Sequence, residues 1–375
     1  MNKKDSVAVV PKYRFPEFAL DASIDYVAGG FLFDPITNRN HHADLPILAI
    51  TQEYGAIPRD EIDYKVSVTE KSLKAYKIVE KGDFIISLRS FQGGIEYSMY
   101  DGICSPAYII LRKKTNIIDQ YYKYYFKSYR FIQDLNKDLE GIRDGKMISY
   151  SQFSSILLPK PDKEEQQKIA DCLSSIDDLI SAEEKKLSLL NDYKKGWMQK
   201  LFPSEGKTVP EWRFPEFRDS GDWENTTIEK IADYENGKAH ENNIIDNGKY
   251  IVVNSKFIST EGEIIKYTNE ANLLAYKGDI LMVLSDVPNG RALSKCYLVE
   301  KDNVYTVNQR VCRIIPEKVN STLLFYTINR NKYFLSFDDG VKQTNLKKND
   351  VLSCSIVIPK EPDEQEKIAD FLSGI

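Results

Sequence analysis

The feature that most constrains this chain is a proline-free stretch from Lys163 to Leu201 that carries a heptad repeat. Apolar side chains recur there at alternating steps of four and three residues, the period of a helix packed along a partner helix. Eight of the ten positions of this seam are apolar, namely Ile169, Leu173, Ile176, Ile180, Leu187, Leu190, Trp197 and Leu201. Glu183 and Lys194 occupy the other two, where a charge more often tunes register or partner choice than performs chemistry. Such a helix is ~58 Å long at about 1.5 Å per residue, so we expect it to separate two bodies.

The rest of the chain contains an internal sequence duplication. Residues 10–18 read VPKYRFPEF and residues 209–217 read VPEWRFPEF, while KIADCLSSI at 168–176 recurs as KIADFLSGI at 367–375, both at an offset of 199 residues. A period this long indicates domain duplication and not a solenoid. We therefore predict an α+β protein with two duplicated domains, at 1–158 and 204–358. A long coiled-coil helix at 159–203 joins them, and 359–375 begins a second, truncated helix.

Each body alternates short apolar runs with turn residues, which favours a mostly β fold with one amphipathic helix. In the first body the predicted strands are LPILAI, YGAIP, KGDFIISL, SPAYIILR and a closing ISYSQFSSILLP, with a helix over 119–139. In the second they are YIVVNSKFI, KGDILMVLS, NVYTVNQRVCRII and DVLSCSIVIP, with a helix over 323–337. The shared KGD turn, at 81–83 and 277–279, indicates that the two bodies have one fold.

The composition, 42% hydrophobic and 29% charged, is that of an ordinary globular protein. An apolar run long enough to span a membrane is absent, as is a signal-peptide core, and the five cysteines are scattered. We expect a cytoplasmic protein with reduced thiols and no membrane association. The net charge of −5 argues against nucleic acid, but residues 112–150 carry nine basic against five acidic side chains, and residues 310–349 carry eight against three.

Both basic stretches contain a polar loop, GIRDGK at 141–146 and GVKQTNLKK at 340–348, which is a candidate for phosphate and base contacts. The alternative is a solvated surface without a ligand. The predicted DNA-contacting residues lie in loops at strand ends and carry suitable donors: Arg89, Gln92, Arg143 and Lys146 in the first body, and Arg291, Gln309, Gln343 and Asn345 in the second. The aromatic residues of QYYKYYFKSYRF could stack on bases, but their helical spacing favours a core position.

Catalytic motifs are absent from the sequence. It contains no P-loop, no GxGxxG after a strand, no HExxH, no GxSxG and no zinc-ligand spacing. The residues thus favour a non-catalytic DNA-binding protein. The alternatives are a coiled-coil adaptor whose two domains bind protein or glycan, and a stand-alone nuclease.

The chain resembles the specificity subunit of type I restriction-modification systems. The resemblance rests on two globular bodies that are each followed by a helix start, EEQQKIAD or DEQEKIAD, on the heptad helix between them, and on the QTNL loop before the last strand. The resemblance implies target recognition domains that each read half of a split double-stranded DNA sequence. It also implies a helical spacer that docks methyltransferase subunits, with restriction subunits completing the nuclease. S-adenosylmethionine, ATP and Mg²⁺ would then be cofactors of those partners only, with no metal or catalytic residue in this chain. The sequence departs from the family in the first copy, where GKMIS replaces QTNL, and at Ile375, where the second helix has barely begun.

The apolar seam would be sticky in water if nothing covered it. The last segment, KIADFLSGI, offers Ile368, Leu372 and Ile375 at matching steps, enough to cover one end. We therefore expect either a truncated gene product or a pairing of the central helix with a helix from another subunit, with the exposed part of the seam at 187–201.

Overall fold

The computed structural model describes residues 11–20, 23–41, 45–62, 70–137 and 148–375. The chain divides into two compact units, Met1–Glu184 and Lys185–Ile375. Within the described ranges, no helix combines the length and apolar character needed to cross a bilayer.

The first unit is built from short strands and short helices that precede the long helix. Its strands are β1 (Asp25–Ala28), β2 (Phe33–Ile36), β3 (Leu48–Thr51), β4 (Gly55–Pro58), β5 (Lys77–Val79), β6 (Phe84–Ile86), β7 (Glu96–Tyr97), β8 (Gly102–Cys104), β9 (Ile109–Lys113) and β10 (Leu157–Lys160). Its helices are α1 (Gly29–Leu32), α2 (Glu70–Leu73), α3 (Ser90–Gly93), α4 (Asp119–Tyr125), α5 (Tyr129–Asn136) and α6 (Tyr150–Ser155), followed by the long helix α7 (Lys163–Leu201).

The second unit repeats this order after α7. Its strands are β11 (Glu224–Thr227), β12 (Ala232–Asn236), β13 (Tyr250–Val253), β14 (Tyr267–Thr268), β15 (Leu274–Ala275), β16 (Ile280–Val283), β17 (Ser285–Asp286), β18 (Cys296–Leu298), β19 (Tyr305–Val307), β20 (Val311–Pro316), β21 (Thr344–Asn345) and β22 (Ser355–Ile358). Its helices are α8 (Ile228–Ile231), α9 (Ser255–Ser259), α10 (Ser321–Ile328), α11 (Lys332–Leu335), α12 (Lys348–Leu352) and α13 (Pro362–Ser373).

One antiparallel four-stranded sheet recurs in both units, in the order β2-β9-β6-β7 in the first and β12-β20-β16-β18 in the second. In the first unit, the middle strands are buried on both faces, because the α4–α5 aromatics pack on one face and residues of β3, β4, β5 and β8 pack on the other. An antiparallel two-stranded ribbon, β1 with β10 and β11 with β22, leads each body into its following helix. The repeated sheet and ribbon agree with the duplication seen in the sequence.

Several predicted elements are wrong in detail. The helix predicted over 119–139 is broken into α4 and α5, because the Ser128 hydroxyl accepts the Phe131 N–H and starts a new helix. Asn331 does the same before α11, so the predicted 323–337 helix is also two helices. ISYSQFSSILLP and DVLSCSIVIP each begin with a helix, α6 or α12, before the strand. The aromatic residues of QYYKYYFKSYRF, across α4 and α5, lie mostly in the core, as predicted, with Tyr122, Phe126 and Phe131 buried.

The long helix has the predicted bounds, Lys163–Leu201, but its seam is covered differently from the prediction. Ile169 and Leu173 are half-buried at its start, while Trp197 and Leu201 pack at its end against α13. The exposed part is the middle, at Ile176, Ile180, Leu187 and Leu190. The expectation of exposure up to Leu201 is therefore wrong, because the short α13 covers that end and leaves Leu201 only 1% exposed.

A duplicated buried ion pair holds each helix start to its own domain. Arg14 donates two hydrogen bonds of 2.6 Å to the Glu165 carboxylate, and Arg213 donates two of 2.6 Å to Glu364. The glutamine that follows each glutamate then accepts a backbone N–H, from Ile118 to Gln166 and from Asn320 to Gln365. The EEQQ and DEQE signatures thus fix the helices to the domains, and bidentate charged pairs of this kind are among the stronger hydrogen bonds in proteins.

Candidate nucleic-acid interface

In the second unit, three loops meet at one end of the β12-β20-β16-β18 sheet. Leu284, directly after β16, donates its N–H to the Arg310 carbonyl at 2.8 Å and accepts the Leu346 N–H at 2.8 Å. Gln309 precedes Arg310 and Asn345 precedes Leu346, so two of the predicted contact residues are brought to the same edge. Backbone hydrogen bonds fix this edge, which therefore presents its side chains from a rigid frame.

The loop that carries Arg291 is closed by a single carboxylate. Asp286 accepts the backbone N–H groups of Ala292 at 2.6 Å and Leu293 at 3.1 Å. A Cβ at Gly290 would lie 2.1 Å from the Asp286 carboxylate, so a larger residue there would displace the carboxylate that closes the loop. Asn289 then donates its N–H to Asp338 at 3.0 Å, which ties this loop to the one that contains Gln343. Arg291 is exposed beside that junction.

Gln343, directly before β21, and Asn345, within β21, form an exposed polar pair. The Gln343 Nε2 donates to the Ser285 hydroxyl at 2.7 Å and to Asn345 Oδ1 at 3.4 Å. These bonds direct the Gln343 Oε1 acceptor and the Asn345 Nδ2 donor away from the pair, and both residues are exposed. An acceptor beside a donor is the kind of pattern that base edges present in the major groove.

In the first unit, Arg89 and Gln92 are exposed on the turn that follows β6. Arg89 is the N-cap residue of α3, and Gln92 lies within α3. The turn is anchored from several sides. Gln52 donates to the Arg89 carbonyl at 3.1 Å, and Asn136 donates to the Phe91 carbonyl at 2.7 Å. Gly94 is required because its φ is +81° and a Cβ would lie 2.0 Å from the Phe126 carbonyl. The other two predicted contacts, Arg143 and Lys146, lie outside the described residues with the GIRDGK loop.

Some of the basic side chains in the two positively charged stretches, at 112–150 and 310–349, form ion pairs within the domains. Arg112 binds Asp83 at 2.8 Å, and Arg313 binds Asp279 at 2.6 Å, each aspartate being the buried last residue of a KGD turn. Lys127 binds Glu96 at 2.5 Å, and burial raises the pKa of that carboxyl although Lys127 opposes the shift. The KGD motif and much of the basic stretch are therefore structural. Exposed cations such as Lys342 remain on the loop of the second unit.

Sequence reasoning missed the exposed aliphatic residues of these loops. Val287 and Val341 are exposed in the second unit, and Leu88 is exposed next to Arg89 in the first. A hydrophobic residue inside a polar loop, as in VPNGR and DDGVKQ, was the available signal. Apolar side chains at such positions can contact the methyl group of thymine.

Comparison with known proteins gives one consistent result. The model of the type I restriction modification DNA specificity domain matches residues 33–192 and again residues 220–375. The chain is 28% identical over 342 residues to the type I restriction enzyme MjaVIII specificity subunit of Methanocaldococcus jannaschii, which covers 84% of this chain and 77% of that protein. A putative type I restriction enzyme MjaX specificity subunit of the same organism is 27% identical over 151 residues, 38% of this chain and 35% of that protein. The crystal structure of a type I restriction-modification system S subunit from M. genitalium has the same fold, with a TM-score of 0.58, 15% identity, and coverage of 95% of this chain and 91% of that one.

Proposed function

This chain belongs to the type I restriction-modification DNA specificity family, and on that premise we propose that each unit reads one half of a bipartite double-stranded DNA target. The chain carries out no methylation or cleavage of its own. Those reactions belong to methyltransferase and restriction subunits, which bind S-adenosylmethionine, ATP and Mg²⁺. The two M. jannaschii proteins compared above are named as specificity subunits, which supports this division of labour.

The observation that carries the proposal is the repetition of one edge in both units. The chain leaves β6 and β16, corresponding middle strands of the two sheets, into anchored loops with exposed polar side chains. Loops presented by a rigid frame lose little conformational entropy on binding, which favours sequence readout. Two such edges on one chain fit a target with two read halves and an unread middle.

The residues of the second edge suit different parts of DNA. Gln343 and Asn345 offer an acceptor and a donor to a base edge, and Val287 or Val341 can contact a thymine methyl group. Arg291 and Lys342 suit phosphate, which positions the protein without reading sequence. In the first unit we assign the same roles to Arg89 and Gln92, and the sequence adds Arg143 and Lys146 as candidates.

The middle of the α7 seam is the surface we assign to partner subunits. Ile176, Ile180, Leu187 and Leu190 are exposed on one stripe of the helix. A contiguous stripe of exposed apolar side chains on a folded protein commonly marks an interaction site.

The proposal is tested by titrating the chain, assembled with its methyltransferase subunits, against fluorescent duplexes at several salt concentrations. Binding should weaken steeply with salt, and K342A should reduce the slope of log K against log salt by about one. K277A is the matched control, since Lys277 is exposed at the opposite end of β16 and should leave the slope unchanged. Salt-independent or undetectable DNA binding would instead favour the adaptor alternative.

A further inference from the structure

One arginine at the end of the second unit's sheet has a backbone conformation that is unfavourable for any residue with a Cβ. Arg310 lies at the third position of the turn that precedes β20, in which Val311 donates its N–H to the Asn308 carbonyl at 3.3 Å. Its φ is +67°, the left-handed value that the third position of a type II turn requires and that glycine or asparagine adopts more readily. Arginine at this position is therefore strained, and glycine would relieve the strain.

No contact within the protein explains why the strained position carries an arginine. The Arg310 side chain is exposed, and among the described residues none forms a hydrogen bond or ion pair with its guanidinium. Arg330 has a similar φ of +57°, but it donates a hydrogen bond of 3.1 Å to the Leu293 carbonyl. Arg313 forms ion pairs with two carboxylates. These two arginines stabilise the fold, whereas the guanidinium of Arg310 is left for a ligand.

The turn that carries Arg310 is held from three sides. Asn308 donates its N–H to the Val253 carbonyl at 3.0 Å, and its side-chain oxygen accepts the N–H of His240 at 3.1 Å. The Arg310 carbonyl accepts the Leu284 N–H at 2.8 Å. Val253 and His240 are almost fully buried, so the backbone of this turn is fixed before any ligand binds.

Arg310 lies on the same edge of the sheet as the exposed pair of Gln343 and Asn345. Leu284 is hydrogen-bonded to Arg310 on one side and to Leu346 on the other, so one strand separates Arg310 from the amide pair. Neighbouring strands are about 4.8 Å apart, which places the Arg310 backbone about 10 Å from the strand of that pair. Successive base pairs of DNA are about 3.4 Å apart, so this distance corresponds to about three base pairs.

We propose that Arg310 reads a guanine in the half of the DNA target that the second unit recognises. An arginine fork donates two parallel hydrogen bonds to guanine O6 and N7 in the major groove, which is the commonest base-specific contact in protein–DNA complexes. This inference rests on the function proposed above and adds one residue and one base to it. The guanine lies within about three base pairs of the base that Gln343 and Asn345 contact.

A phosphate contact would not explain the strained backbone. Phosphates recur along both strands about every 3.4 Å, so a flexible exposed cation such as Lys342 reaches one from many positions. The two acceptors of a guanine occupy one place in the groove and require a donor fork held in register with them. The anchored turn at Arg310 supplies that placement and loses little conformational entropy on binding.

The test compares R310G with N303G in the chain assembled with its methyltransferase subunits. Asn303 is exposed and has a φ of +59°. It lies at the opposite end of the sheet, next to Asp302, whose carboxylate accepts the Lys277 N–H at 2.7 Å. Both variants therefore place glycine at a left-handed position. The methylated motif is mapped in cells, and competition between duplexes that carry each of the four bases at each position measures discrimination in vitro.

R310G should lose its preference for one guanine in a single half of the motif, by about fivefold or more, while the other half and the spacing are retained. Its urea midpoint, followed by the tryptophan fluorescence of the second unit, should equal or exceed that of the wild type. Relief of the left-handed strain offsets the greater freedom of glycine in the unfolded chain. N303G should retain the wild-type motif.

An unchanged motif in R310G, or equal weakening on every duplex, would overturn the assignment of Arg310 to a guanine. A urea midpoint of R310G well below that of the wild type would overturn the premise that the arginine serves a ligand and not the fold. If the wild-type complex itself showed no sequence preference, the proposed function would fail and this inference with it. An unchanged motif in R310G beside a specific wild-type complex would overturn this inference alone.

Discussion

Replacing Arg213 with methionine removes the cation from the buried ion pair of the second unit. The Glu364 side chain is fully buried, and its remaining side-chain partner is the Trp223 indole at 3.3 Å. Removing one member of a buried pair leaves an uncompensated charge and costs about 3–5 kcal/mol. With a urea m-value of about 1–3 kcal/mol per molar, the unfolding midpoint of this unit should fall by roughly 1–5 M.

The assay follows from where the tryptophans lie. All three, Trp197, Trp212 and Trp223, belong to the cluster around this ion pair, so intrinsic fluorescence reports unfolding of the second unit. R14M makes the same change in the first unit, where Arg14 binds Glu165, and should leave the fluorescence midpoint nearly unchanged. The double variant R213M/E364L should recover much of the loss, since an apolar pair replaces the charges. Equal midpoint shifts for R14M and R213M, or no shift for either, would refute this account of the ion pairs.

Three further outcomes are expected. L201A should lower the free energy of unfolding of the second unit by about 2–5 kcal/mol in the same fluorescence assay, because Leu201 is buried. L187A, on the exposed middle of the seam, should change it by less than about 0.5 kcal/mol, and equal losses of stability for the two variants would contradict the difference in burial. In the native protein, only the exposed thiol of Cys172 should react rapidly with Ellman's reagent. The other four thiols are buried, and burial raises the pKa of Cys104, Cys312 and Cys354 to about 12. Two or more rapidly reacting thiols would contradict this. Burial raises the folded-state pKa of Glu96 above its unfolded value of about 4.3, so the stability that protonated Glu96 contributes is fully present below that pH and is lost as pH rises through the folded pKa. The melting temperature of E96Q relative to the wild type should therefore increase as pH rises above about 4, and a difference that does not change with pH would contradict the sign.

The sequence was most informative where a period or a repeat runs over many residues. The bounds of α7 follow from a proline-free heptad pattern, and the two-unit architecture follows from repeats at one offset. The breaks at Ser128 and Asn331 were missed because the amphipathic pattern continues across each helix cap. The capping box at Ser149 and Gln152 was present in ISYSQFSSILLP but was outweighed there by apolar alternation.

Long-range contacts could not be predicted from pattern alone. Arg14 and Glu165 are 151 residues apart, and a single ion pair leaves no periodicity in the chain. The same holds for Ser285, which binds Gln343 across 58 residues and orients its amide. The loop positions of the candidate contacts were predictable from strand ends, but the side chains that share an edge depend on how three separate loops meet at Leu284.

The most direct test of bipartite recognition is to map methylated sequences in cells that carry the complete system, comparing the wild-type chain with the variant Q343A/N345A. The two amides lie on the second unit, and loss of a good base contact costs about 1–3 kcal/mol of discrimination. The account predicts that one half of the methylated motif becomes relaxed or changes while the other half and the spacing between them are retained. An unchanged motif, or simultaneous loss of both halves at normal protein levels, would contradict it.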